Sequence, residues 1–302
     1  MHGGKITMTK REFYILDVFA EKKYAGNQLA VFRHVEGISE PEMQKIAKEM
    51  HFSETTFILS EEKRNGGYDV RIFTPEHEIP FAGHPTLGTA YLIQQEIIKE
   101  PVEKVVLNLK VGQIPVTFKY LGEQVDIMWM KQINPAFGTV LDLSSLALVL
   151  NIEEQEIDPK FPIQEVSTGT PFIMVPLKTL NGVRQAKIDK TGYFKLIENL
   201  EAKAILVFCP QTYSQENDLN VRVFVDYYGI PEDPATGSAN GCLAGYLAKY
   251  RYVGNDQIDI RVEQGQEIGR PSLLFLRAKV IEKEIQVEVG GKAIMVARGE
   301  FV

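Results

Sequence analysis

"GHPTLGTAYL" (83–92) and "GSANGCLAGYL" (237–247) decide how this chain is read, because each opens on glycine and a polar residue and then runs into an apolar helical pattern. In the second copy Ala239, Cys242, Leu243, Tyr246, Leu247 and Tyr250 keep the i, i+3, i+4, i+7 spacing, while Gly241, Ala244 and Gly245 line another side with small residues. Such a helix is expected to be buried nearly all round. In the first copy Pro85 suits the first helical turn, where its missing N–H costs nothing, which places His84 at the cap. Ser238 reads likewise as an N-cap. Each terminus carries roughly half a positive charge and free N–H groups, so each is a place to hold an anion.

The similarity extends outward from the helices. "RIFTPEHEIP" (71–80) resembles "RVFVDYYGIP" (222–231), and Gly83 then falls on Gly237 once three residues are inserted. "YAGNQLAVF" (24–32) resembles "STGTPFIMV" (167–175), with Gly26 on Gly169. Around these lie short strand-like runs, "FYILDVF", "NQLAVF", "TTFIL", "YDVRIFT", "KVVLNL", "IPVTFKY" and "VDIMWM". Helical stretches are expected near 39–51 and 85–98, the first with Ser39 and Glu42 in a capping-box pattern. The expected fold class is α+β, with two similar domains related by an internal pseudo-twofold. Each is a mixed or antiparallel, barrel-like sheet wrapped around a central helix, and both helix N-termini point into one cleft. A substrate carboxylate could be held there without any cofactor.

Bulk properties narrow the function classes. The 302 residues, 44% hydrophobic and 24% charged, are enough for two domains of about 150 residues. The net charge of -7 and the pI near 5.4 disfavour capture of nucleic acid or an anionic membrane, so neither is an expected partner. No apolar run approaches the roughly 20 residues of a membrane span, and the start, "MHGGKITMTKREF", lacks a signal-peptide core, so a cytoplasmic protein is expected. Cys209 and Cys242 sit among apolar neighbours and read as buried, reduced thiols. The five histidines show no zinc-protease spacing; Glu76, His77, Glu78 and His84 are the nearest approach to a metal cluster, and a solvated turn explains "PEHE" as well.

Three stretches carry candidate chemistry: "SETTF" (53–57), "FAGHPTLG" (81–88) and "EDPATGSANG" (232–241). Taken singly, each has a plain structural explanation. Asp233 and Ser238 suit a turn and a cap, His84 a hydrogen-bonded core position, and Glu54 a surface carboxylate at the start of a strand.

Together with "GNQLAVF", these stretches resemble the phenazine-biosynthesis isomerases, the PhzF-like family, which share the fold of diaminopimelate epimerase. The resemblance runs over essentially the whole chain. It implies that Glu54 is the general acid/base, that His84 and Asp233 bind and polarise the substrate, and that Ser238 binds it too. With the backbone of Gly83 and Gly237, Ser238 would hold a carboxylate. It also implies no metal, no organic cofactor, a small-molecule carboxylate substrate and a homodimer, with the domains at 1–130 plus 288–302 and at 131–287. Gln28 stands where the family often has proline, and Val225-Asp226 where it often has Ala-Pro; both bear on the substrate rather than on the fold. The two-thiol epimerases of the same fold use one cysteine from each half, whereas Cys209 and Cys242 do not fall on equivalent positions of the repeat. Two other readings stay open from the residues alone: a non-catalytic small-molecule binder, and a metal-dependent hydrolase built on His77 and His84.

Overall fold

Runs of alternating or continuous apolar residues become strands throughout the computed structural model, which describes residues 11–301. The reading of the chain's start therefore falls largely on residues outside the described ones. The first half contributes β1 (Arg11–Val18), β2 (Asn27–Phe32), β3 (Glu54–Ile58), β4 (Tyr68–Phe73), the two-residue β5 (Glu78–Ile79), β6 (Lys104–Leu109), β7 (Gly112–Leu121) and β8 (Gln124–Lys131). The second contributes β9 (Ala136–Leu141), β10 (Ile163–Ser167), β11 (Pro171–Pro176), β12 (Ile205–Cys209), β13 (Leu219–Phe224), the two-residue β14 (Glu232–Asp233), β15 (Gln257–Gln264), β16 (Ser272–Ile281), β17 (Glu284–Gly291) and β18 (Ala293–Phe301).

Pairing repeats the same order twice. β18, β1, β2, β3, β4, β6, β7 and β8 lie side by side, as do β9, β10, β11, β12, β13, β15, β16 and β17, with β5 hydrogen-bonded to β4 and β14 to β13. Parallel neighbours occur at the same places in both, β2 with β3 and β4 with β6, β11 with β12 and β13 with β15. Parallel pairs need crossovers, and helices supply them. In the first half these are α1 (Glu40–Met50) and α2 (Gly83–Leu92). In the second, α3 (Leu143–Leu150) leads into β10, and α4 (Leu180–Gln185), α5 (Lys190–Ile197) and α6 (Gly237–Tyr250) serve as the crossovers. The segment 93–98, expected as part of one helix, continues α2 as a π-helix. The halves join through antiparallel β8 and β17, and the last strand returns to pair with β1.

Nine of the ten residues of α2 and eleven of the fourteen of α6 are buried, each helix enclosed by strands of its own half. Outside the sheets, α1 covers a cluster built on Phe13, Phe32, Phe57, Phe73 and Phe301, while α3, α4 and α5 cover a second core around Leu146, Val175 and Tyr193. Among the described residues no helix is long and apolar enough to cross a membrane.

Two local expectations change. Ser39 is the N-cap of α1, but no side-chain bond closes a capping box, because the Glu42 carboxylate is taken by Arg11. The three inserted residues also lie earlier than the sequence match suggests. Arg71 grips Glu78 and Arg222 grips Glu232 in the same way, so β5 matches β14 and the extra residues fall in the 225–231 turn. Ile79-Pro80 and Ile230-Pro231 are therefore not equivalent positions.

Candidate active site

Glycines let the two central helices meet end to end. A Cβ on Gly83 would stand 3.3 Å from the Gly237 Cα and 3.4 Å from the Ser238 nitrogen, and one on Gly237 would stand 3.5 Å from the Gly83 Cα and 3.3 Å from the Phe19 ring. The N-termini of α2 and α6 thus bring their unsatisfied N–H groups to one point. The caps differ from expectation. Ala82 and Thr236 are the N-caps, and His84 and Ser238 are second residues of their helices. Glycine at the first position of each helix leaves room for the other helix start, where a Cβ would crowd it, and the Thr236 hydroxyl is drawn away to the Asp233 carboxylate.

Glu54 begins β3, and its Oε2 lies 3.3 Å from His84 Nε2. Both atoms are buried, and neither has a hydrogen-bonding partner. Burial, with a smaller contribution from the charge of Asp233, raises the Glu54 carboxyl to about 8. Burial also lowers the His84 imidazole to about 3, against a hydrogen bond to the Gln28 backbone that favours its charged form. Near neutrality the pair therefore shares one proton and no net charge, with neutral imidazole facing a largely protonated carboxyl. A group with that acidity can accept a proton from carbon and give it back.

Asp233 completes the group from the other half. It is buried, and burial raises its carboxyl to about 6, although hydrogen bonds from Thr236 and Asn27 favour the ionised form. Asn27 Nδ2 donates to Asp233 Oδ1 at 2.9 Å and to the Ala235 carbonyl at 3.0 Å. Gln264 Nε2 donates to the Asp233 carbonyl at 2.8 Å, and its Oε1 accepts from Asn240 at 2.9 Å. Arg270 clamps the loop leading to Asn27, donating to Asp17, the Ala25 carbonyl and the Gly26 carbonyl. Gly26 must be glycine there, since its φ is +68° and a Cβ would stand 2.3 Å from the Val18 carbonyl oxygen.

The structure therefore brings Glu54, His84, Gly83, Gly237, Ser238 and Asp233 to one place. His77 is exposed and Glu78 is held by Arg71 and Lys110, so the alternative cluster does not assemble, and among the described residues no three metal-ligating side chains converge. Cys209 and Cys242 are both buried, with thiols pushed up to about 11 and about 12. Asn27, Thr236, Asn240, Gln264 and Arg270 went unread in the sequence. Asn27, Thr236 and Asn240 do lie in quoted motifs, but a lone amide or hydroxyl there carries no local signal of its partner, which for Asn27 is two hundred residues away.

The strand registers also show where the repeat breaks. Thr55 opposes Phe73 as Ile205 opposes Phe224, which puts Glu54 on Ala204. The matched helix starts put His84 on Ser238, and β5 on β14 puts Ile79 on Asp233. Each half holds part of the polar set, and the carboxylate of Glu54 has no twin.

Comparison with known proteins agrees with this architecture. Residues 16–299 match the family model described as phenazine biosynthesis-like protein. Two trans-2,3-dihydro-3-hydroxyanthranilate isomerases, from Pseudomonas fluorescens and Pseudomonas chlororaphis, are 33% and 34% identical, in each case over 96% of this chain and 99% of the relative. The crystal structure of a Bacillus anthracis phenazine biosynthesis protein of the PhzF family superposes with a TM-score of 0.89 at 28% identity, covering 98% of this chain and all of that one.

Proposed function

The chain belongs to the phenazine biosynthesis-like protein family, and from that premise we propose a cofactor-independent isomerase that moves a proton on a small carboxylate or amino-acid-like substrate, with Glu54 as its one general acid/base. That it is an enzyme of the isomerase kind follows from its full-length relatives. The observation that carries the single-base reading is the buried Glu54–His84 pair at 3.3 Å, whose counterpart in the other half is Ala204 and Ser238.

Ionised Glu54 takes a proton from a substrate carbon, and the C–H electron pair passes into the adjoining π system or carboxylate. The N–H groups at the starts of α2 and α6 meet the charge that develops. Neutral His84 and Asp233 orient the polar substituents, and protonated Glu54 returns the proton to a second carbon or to the same one. The substrate carboxylate rests on Gly83, Gly237 and Ser238. The two halves are read as domains, 1–130 with 288–302 and 131–287, with the site in the cleft between them. A homodimer and a cytoplasmic setting complete the reading.

The test is the reaction in deuterium oxide, sampled at single turnover, with trans-2,3-dihydro-3-hydroxyanthranilate as the first compound and other amino- and hydroxycarboxylates after it. Product carrying part of the original hydrogen is expected, with Glu54→Gln slower by roughly 10²–10⁴-fold. Complete solvent labelling with inversion, or a Glu54→Gln variant of normal rate, overturns the assignment.

A further inference from the structure

Gln132 follows the last residue of β8, in the link between the halves, and its side chain lies against the first turns of α6. A Cβ built on Gly241 would stand 3.1 Å from Gln132 Cγ, 3.3 Å from its Oε1 and 3.2 Å from the Thr168 hydroxyl. Gln132 is 5% exposed, and both polar atoms of its carboxamide are buried without a hydrogen-bonding partner. The neighbouring Thr168, 3% exposed, reaches the Ser238 carbonyl at 3.4 Å. The amide therefore stands one helical turn from the point where Gly237 meets Gly83.

The repeat indicates that the fold does not require this amide. The β8–β17 register, with the matching registers of β7 and β16, carries Gln132 onto Gly291, where the space of a side chain is filled by the Phe19 ring. One half closes with hydrocarbon where the other presents a carboxamide. An unpaired buried amide is costly, and a primary amide offers both donors and an acceptor at one spot.

We propose that Gln132 is a substrate-contacting residue. Its Nε2 donates to the carboxylate held at the start of α6, and its Oε1 accepts from an amino or hydroxyl group on the same substrate. The site thereby prefers amino- or hydroxycarboxylates to simple carboxylates. This rests on the carboxylate-binding reading of the site given above. A hydrogen bond to a charged group corresponds to roughly a 10- to 100-fold difference in affinity.

The experiment is calorimetric titration of the full chain with 3-hydroxyanthranilate, anthranilate and benzoate, comparing wild type with Gln132→Leu and Glu54→Gln, alongside thermal melts. Wild type is expected to prefer 3-hydroxyanthranilate to benzoate. Gln132→Leu is expected to lose that preference, weakening 3-hydroxyanthranilate by about tenfold or more while melting no lower than wild type. Glu54→Gln is expected to keep the preference. Unchanged affinities in Gln132→Leu, or a melting point several degrees lower, overturn the proposal while leaving the carboxylate reading intact. Failure of wild type to bind any of the three overturns that reading, and the role of Gln132 with it.

Discussion

Replacing Glu54 by glutamine should make the protein more stable, and increasingly so as the pH rises. The carboxyl titrates near 4.5 when ordinary and at about 8 where burial beside His84 and Asp233 holds it. Below 4.5 both the folded and the unfolded chain carry the proton, and its ionisation contributes nothing. Between 4.5 and 8 the unfolded chain gives the proton up while the folded chain keeps it, so the stability of wild type falls as the pH increases. At about 1.36 kcal/mol for each tenfold step in proton affinity, the loss is about 4 kcal/mol from pH 5 to 9, most of it below pH 7. Glutamine fills the same space, can donate to His84 Nε2 and does not ionise. With an unfolding entropy of about 2.1 cal/mol/K per residue over this chain, the melting-point difference between variant and wild type should widen by roughly 6 °C from pH 5 to 9. Melts of both proteins at pH 5, 7 and 9 measure it. A difference that stays flat with pH, or a variant less stable than wild type at pH 9, refutes the assignment of a buried, proton-holding carboxyl.

The same acidity should govern turnover. The kcat/KM should rise about tenfold per pH step below 8 and level off above it, and a profile flat from pH 6 to 9 would count against ionised Glu54 as the starting base. Asn27→Ala removes a hydrogen bond that favours ionised Asp233, so it should raise the Asp233 carboxyl above its present value of about 6 and lower kcat/KM by roughly 10- to 100-fold. Carbon-13 resonances of the labelled carboxylate report the first effect, and a lowered titration point would contradict the geometry. Gly237→Val drives a side chain into Gly83 and Phe19 and should abolish turnover while leaving far-ultraviolet circular dichroism intact, whereas retained activity would show that the helix ends need not touch. Iodoacetamide at pH 8 should leave activity unchanged, since both thiols are buried and protonated there; rapid inactivation would restore a thiol mechanism.

Much of the fold was legible because burial leaves a pattern. "KVVLNL" and "NQLAVF" match β6 and β2 residue for residue, and the small-residue face of α6 announced a helix enclosed on all sides. The caps depart from the sequence expectation because a residue's own preference competes with packing and with other hydrogen bonds. Ser238 is a good N-cap by itself, yet Gly237 is what allows the close approach to Gly83, and Thr236 is bound to Asp233 instead of closing the helix. Of the site, Glu54 and His84 came from motifs rather than from periodicity, since a carboxylate at a strand start looks the same whether exposed or buried. Gln132, Gln264 and Arg270 had no signal at all, because their partners lie on strands and loops that only the assembled halves bring near.

The repeat and its exceptions give the site a physical logic. A fold with two equivalent halves naturally creates a twofold-symmetric cleft, with two helix N-termini presenting N–H groups to one anion. A symmetric cleft lined by two bases suits removal of a proton from one face and delivery to the other. Here the framework keeps its symmetry where it must hold the chain, in the Arg71–Glu78 and Arg222–Glu232 pairs that brace the two short strands. It loses symmetry at the proposed site, since the positions of Glu54, His84 and Gln132 carry Ala204, Ser238 and Gly291 in the other half, and that of Asp233 carries Ile79. Ala204 is fully buried and has no group able to take a proton, and the two cysteines lie at positions whose counterparts are Leu59 and Gly88. On the proposed reading, a proton taken by Glu54 meets no carboxylate or thiol at the repeat-related positions, and Asp233, the other carboxyl of the site, is assigned to orienting the substrate. In the proposed mechanism the proton returns from Glu54 itself, and the substrate's path is then bounded by the reach of one carboxyl group over one face of the molecule.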